Sequence, residues 1–141
     1  MGIRKAKISD CERIGELLNQ LDYPDTDSFL QENIKTLLKH PDEKLLVYEY
    51  RKKVVALISV HFIPQLALKG DFARISYFVV DKKFRGKGIG NKMEQYCVSL
   101  AKKRKCDRIE VHCNVRRLEA HKFYKKQGYV ELPKYFYKKL V

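Results

Sequence analysis

Apolar positions along this chain change their spacing several times, and each change marks an element. Residues 3–8 read as a short opening strand. Ser9 stands where a helix cap would, with Glu12 three residues later in capping-box position, and Cys11, Ile14, Leu17, Leu18 and Leu21 recur behind it at helical spacing. The stretch DYPDTDS breaks that helix. Thr26 or Asp27 can cap a second one, which carries Phe29, Leu30, Ile34, Leu37 and Leu38 and stops at His40-Pro41. KLLVYEY and VVALISVHF, separated by Arg51-Lys52-Lys53, predict a hairpin. After the loop IPQLALKGD, FARISYFVV predicts a fourth strand. Ile89, Met93, Tyr96, Cys97 and Leu100 then return to helical spacing.

DRIEVHCNV alternates, with Ile109, Val111, Cys113 and Val115 on one face and Glu110, His112 and Asn114 on the other. A helix over 116–127 ends at Gly128, a good residue for the position after a helix cap. YVEL and KYFYKKL, divided by Pro133, predict a closing strand pair. The order β-α-α-β-β-β-α-β-α-β-β is an α/β (α+β) arrangement. Its sheet is expected to be mixed and largely antiparallel, because helices alternate with strands only in the second half.

The length of 141 residues suits one domain, taken as 1–141, with room for a real core. No apolar run reaches the length of a membrane span, and the opening MGIRKAKISD lacks the apolar stretch of a secretory signal, so a cytoplasmic protein is expected. Cys11, Cys97, Cys106 and Cys113 form no short-spaced pair and no cluster with His, so no metal site is expected. Lys and Arg exceed Asp and Glu by 30 to 17, a formal charge of +13 that attracts anions: nucleic acid, an anionic surface or a phosphorylated ligand.

VVDKKFRGKGIGNKM narrows that choice. It runs from strand to helix through three glycines, with Lys82, Lys83, Arg85, Lys87 and Lys92 around them. The first amides of a helix lack intrahelical partners, the helix dipole is positive there, and glycine lets backbone approach a phosphate closely. Neither a P-loop nor a dinucleotide fingerprint fits, because Asn91 or Met93 falls where each needs Gly, Ser or Thr. The pattern [RQ]-x-x-G-x-[GA] fits fully as Arg85-Gly86-Lys87-Gly88-Ile89-Gly90.

That pattern, together with CNVRRLEAHKFYKKQGYVEL, resembles the GNAT superfamily of N-acetyltransferases. In the second stretch Asn114, Ala120, Phe123, Tyr124, Gly128 and Tyr129 stand in the matching places. The element order agrees from end to end. Within the superfamily, 114–140 and the SVHF region look closest to aminoalkylphosphonate N-acetyltransferases. The resemblance implies a GNAT fold of about seven strands flanked by four helices. It also implies transfer of an acetyl group from acetyl-CoA, as cosubstrate, to a primary amine of a small molecule by direct attack in a ternary complex.

By the same resemblance, the backbone from Arg85, Gly86, Lys87, Gly88, Ile89, Gly90 and Asn91 holds the coenzyme A pyrophosphate. Main-chain groups near Phe78, Val79 and Val80, beside a bulge, pair with the pantetheine arm. Asn114 bonds the pantetheine amide, and Tyr124 is the general acid at the coenzyme sulfur. The glutamate that many relatives carry on the fourth strand is absent, since Arg74, Ser76 and Tyr77 occupy those places. Glu110, His112 and His61 are the alternative bases, beside a water chain with no dedicated base.

The charge of +13 favours a neutral or anionic amine over a polyamine. Two other function classes use the same features. A basic nucleic-acid-binding module would stack bases on Tyr48, Tyr50, Tyr135, Phe136 and Tyr137, although no nucleic-acid motif appears. A catalytically inactive acetyl-CoA sensor would explain the missing glutamate. Exposed edge strands leave room for a homodimer.

Overall fold

The computed structural model describes residues 2–113, 116–132 and 135–141. Five strands form one sheet in the order β1-β2-β3-β4-β5: β1 (Gly2–Lys5), β2 (Glu43–Tyr50), β3 (Lys53–Ile63), β4 (Phe72–Val80) and β5 (Arg108–Val111). The first four are mutually antiparallel and β5 runs parallel to β4. A parallel neighbour needs a crossover, and helix α3 (Ile89–Lys103) supplies it. Helices α1 (Cys11–Gln20), α2 (Leu30–Lys39) and α4 (Leu118–Lys126) complete the described elements.

β3 lies in the middle of the sheet, and its run Val54–Val60 is buried throughout, which is why it reads as continuously apolar rather than alternating. Ile14, Leu17 and Leu18 of α1 and Leu30 and Ile34 of α2 pack with Leu45, Val47, Leu57 and Val79 on one face. Ile89, Met93, Cys97 and Ala101 of α3 pack with Ile58, Val60, Ala73 and Ile75 on the other. The architecture is helix pair, sheet, helix.

Three expectations need correction. About seven strands were expected and five form among the described residues, because 129–132 and 135–141 make no ladder. YVEL alternates, but Val130 is 80% and Leu132 70% exposed, so no covered face repays strand formation. Ser9 and Glu12 do not box the first helix. A 3₁₀ turn, Ile8–Asp10, precedes α1, and the Asp10 carboxylate accepts the Lys7 N–H at 2.8 Å and both Arg4 Nη groups at 2.9 Å. A charged, bidentate acceptor outcompetes a neighbouring hydroxyl. Finally, β5 stops at Val111, short of the strand expected over 107–115.

That early stop has a cause in β4. Ser59 pairs with Tyr77 but Val60 pairs with Ile75, so Ser76 is an extra, bulged residue. A bulge bends its strand. Ile75–Val111 is the last β4–β5 pair, and from Ser76 to Val80 the β4 edge on that side has no strand partner among the described residues. The bulge also resets the side-chain alternation. Ala73 and Ile75 face α3 before it, and Phe78 and Val80 face the same way after it.

Candidate active site

The strand-to-helix turn after β4 is held from behind by Asp81. Asp81 is only 3% exposed; its carboxylate accepts the Lys83 N–H at 3.0 Å and Arg13 Nη2 at 2.8 Å, and its own N–H donates to Val55 O at 2.8 Å. Burial opposes its ionisation, yet the Lys83 amide, the Arg13 guanidinium and the Gln20 side chain together hold its carboxyl down at about 2. Arg13 also donates from Nε to Val54 O at 2.9 Å, so α1, β3 and the turn share one anchor. Arg85 is exposed and is tied to the turn through one nitrogen. Its Nε donates back to Val80 O at 3.0 Å and closes the turn.

Gly86 and Gly88 adopt φ of +77° and +81°, a left-handed backbone that glycine takes without strain. A Cβ at either would meet no heavy atom within 4 Å, so both present bare backbone to open space. Gly88 is the cap of α3, which begins at Ile89, so the amides of Ile89, Gly90 and Asn91 lie in the unsatisfied first turn. Lys82, Lys83, Lys87 and Lys92 are exposed around it. Lys87 Nζ lies 5.5 Å from the centre of the Phe84 ring. The arrangement fits a pyrophosphate.

Gly90 serves differently. A Cβ there would come within 3.4 Å of Phe123 Cε1 and 3.7 Å of Val80 Cγ2, so Gly90 is where α3, α4 and β4 meet. Phe123 packs edge-on against Phe78 at 5.7 Å between ring centres and against Tyr124 at 5.4 Å. Gly128, at φ +94°, ends α4 as the sequence predicts: its N–H donates to Lys125 O and that of Tyr129 to Tyr124 O, both at 3.0 Å. This turn delivers Tyr129 to α3, where its hydroxyl donates at 3.0 Å to Glu94, a carboxylate only 3% exposed.

Between the diverging ends of β4 and β5 lies a cleft of about 240 Å³, lined among others by Tyr23, Ser76, Phe78, His112, Cys113, Arg117 and Tyr124. Burial pushes the Tyr124 phenol well above its usual range, and the nearby Cys113 thiol adds to this while Arg117 opposes it. Burial likewise raises the Cys113 thiol, again opposed by Arg117. The phenol therefore keeps its proton throughout the neutral range.

The base candidates separate. His112 lines the cleft and stacks on Tyr135 with ring centres 4.3 Å apart. Glu110 lies within the β5 ladder and receives Arg74 Nη2 at 3.2 Å. His61 pairs through Nδ1 with Glu43 near the β2–β3 end of the sheet. Asn114 lies outside the described residues. Of the stacking aromatics, Tyr48 is buried and offers no face to a base, Tyr50 is half-buried and packs edge-on against Phe84 at 5.7 Å, and Tyr135, Phe136 and Tyr137 are exposed. No helix among the described residues is long and apolar enough to cross a membrane.

Asp81, Glu94 and Arg117 escaped the sequence reading. Only Asp81 left a signal, as the single acid in a basic turn.

Comparison with known proteins agrees with this geometry. The model of the acetyltransferase (GNAT) family matches residues 9–129. An uncharacterized N-acetyltransferase of Methanocaldococcus jannaschii is 31% identical over 99 residues, 69% of this chain but 43% of that protein, so the chain spans less than half the length of that relative. The aminoalkylphosphonate N-acetyltransferase of Salmonella typhimurium is 25% identical over 132 residues, covering 90% of this chain and 83% of that protein. Among solved structures, a transcriptional regulator from Bacillus halodurans superimposes with a TM-score of 0.89 over 98% of both chains at 22% identity, a likeness of fold.

Proposed function

We propose, starting from the GNAT acetyltransferase family to which this chain belongs, that it transfers an acetyl group from acetyl-CoA to a primary amine of a small molecule, by direct attack in a ternary complex. One observation carries the reading. The β4 edge left unpaired after Ile75 leads along the chain into the glycine turn, and Ser76 and Phe78 of that edge line one cleft with the Tyr124 phenol. When bound, acetyl-CoA supplies a thioester as the acetyl donor.

The chain's own groups divide the work. Amides from Lys87 to Asn91 take the pyrophosphate, with the exposed Arg85 guanidinium, held through Nε to Val80 O, beside them. Main-chain groups of Phe78, Val79 and Val80 are free to pair with an extended arm on the side that β5 has left. A main-chain N–H beside the Ser76 bulge faces, in this reading, the oxygen that gains charge during attack. Tyr124 donates a hydrogen bond to the departing sulfur. A free thiol titrates near about 8.5, below an unperturbed phenol at about 10, so full proton transfer from a phenol raised further is uphill. Tyr124 thus stabilises the thiolate by hydrogen bonding, and His112 is the base candidate within the cleft.

The test is thiol release from acetyl-CoA against a panel of small amines, with acetyl-CoA binding measured by calorimetry. Turnover of at least one amine, slowed roughly tenfold to a hundredfold by Tyr124→Phe with unchanged acetyl-CoA affinity, is expected. Saturable acetyl-CoA binding with no turnover of any amine would instead favour the sensor, a reading supported by the absence of glutamate from the cleft lining. Failure to bind acetyl-CoA, with salt-sensitive binding of nucleic acid, would overturn both.

A further inference from the structure

The cleft has an uneven charge. Asp22, exposed at its mouth, is the one carboxylate among its lining residues, against the guanidinium groups of Arg116 and Arg117. Most arginines here are occupied. Arg4, Arg13, Arg74, Arg104 and Arg108 each meet a carboxylate, and Arg85 meets a carbonyl. Arg117 is half-buried on the cleft wall and meets no carboxylate among the described residues. It shares the lining of the cleft with Tyr124 and Cys113, and its charge opposes the rise of both groups.

A partly desolvated cation without a counter-ion, in a cavity, is poised to be completed by a ligand. A volume of about 240 Å³ equals the liquid share of about eight waters at about 30 Å³ each, so that ligand is small. The planar fork of a guanidinium matches the two oxygens of a carboxylate, phosphonate or phosphate. A second ammonium on the acceptor would instead face the Arg117 guanidinium.

We infer that Arg117 is a specificity-determining residue: it binds an oxyanion carried by the acceptor, so the preferred amine bears a carboxylate, phosphonate or phosphate a few bonds from its nitrogen. The inference rests on the acetyltransferase reading above and adds to it the charge of the acceptor and the group that reads it.

The experiment compares aminoethylphosphonate, β-alanine, propylamine and diaminopropane as acceptors, with wild type, Arg117→Gln and Arg117→Lys, alongside acetyl-CoA affinity and melting temperature. In wild type the two oxyanion-bearing amines are expected to exceed propylamine in kcat/KM, with diaminopropane poorest. Arg117→Gln is expected to raise KM for the oxyanion-bearing amines roughly tenfold to a hundredfold. It should leave KM for propylamine and the affinity for acetyl-CoA unchanged. Arg117→Lys, which keeps the charge and loses the fork, should fall between. The relative efficiency of phosphonate and carboxylate names the oxyanion.

Turnover of all four amines with no preference, or a preference for diaminopropane, would overturn this inference while leaving the acetyltransferase standing. So would loss of acetyl-CoA affinity in Arg117→Gln with amine selectivity unchanged, which would assign the residue to the donor. No turnover of any amine would remove both readings.

Discussion

Adding one methyl group to the glycine turn separates its two kinds of glycine. At Gly88 the new Cβ meets nothing within 4 Å, so the cost of Gly88→Ala is conformational. An alanine at φ +81° carries roughly 1–2 kcal/mol of left-handed strain. For a chain of 141 residues that corresponds to a fall of about 3–6 °C in melting temperature, which the fold survives. The methyl also projects on the open side, where an anion would need to reach the amides. Loss of even one charge-assisted bond there is worth about 1.5–3 kcal/mol, so acetyl-CoA affinity should fall at least tenfold.

Gly90→Ala is the matched control. Position 90 is helical, where alanine gains up to about 1 kcal/mol over glycine, and the methyl enters ordinary contact at 3.4 Å from Phe123 Cε1. The two effects offset, so stability should stay within about 0.5 kcal/mol of wild type and affinity within about twofold. Calorimetric titration with acetyl-CoA and thermal unfolding of both variants make the comparison. If Gly88→Ala binds as wild type does, or Gly90→Ala loses affinity to the same degree, the turn does not cradle the pyrophosphate as argued.

Two further outcomes follow from buried carboxylates. The Asp81 carboxyl titrates near about 2 when folded, below its unfolded value, so its stabilising contribution is complete above about pH 4 and is lost as the pH falls through about 2. Urea unfolding between pH 2 and 5 should show a decline of at most about 2 kcal/mol from this group, absent in Asp81→Asn, which should also start less stable and bind acetyl-CoA more weakly. A pH dependence identical in variant and wild type would rule out Asp81 as the anchor of the turn. Tyr129→Phe removes the hydroxyl that donates to Glu94 and should cost about 1–3 kcal/mol by denaturant titration. A change below about 0.3 kcal/mol would mean that the carboxylate finds another partner.

The glycine turn was legible because its chemistry is local. Left-handed backbone, bare amides and a helix start are all written within six consecutive residues, Arg85 to Gly90, and need no distant partner. The same holds for Gly128 at the end of α4. The supports of the site were not legible, because each joins residues far apart in the chain: Arg13 to Asp81, 68 positions, and Glu94 to Tyr129, 35 positions. A bulge on the fourth strand was expected from the family resemblance, but its place at Ser76 is not visible in the pattern. FARISYFVV is apolar on both sides of its last residues, so inserting one position leaves no visible break in the pattern.

The base candidates show how the position of the bulge bears on a local reading. Glu110 and His112 alternate onto one face, as their spacing requires, and spacing alone cannot rank them. The bulge sets where each of them lies. It ends the β4–β5 ladder at Ile75–Val111, so Glu110 remains inside the ladder, where it is opposite Arg74 and receives its guanidinium. His112 is the first residue beyond that ladder and lines the space the bulge has opened. One unpaired serine on the neighbouring strand thus leaves a carboxylate in a structural ion pair and an imidazole on the lining of the cleft that Tyr124 also lines, and neither residue's own sequence context carries that information.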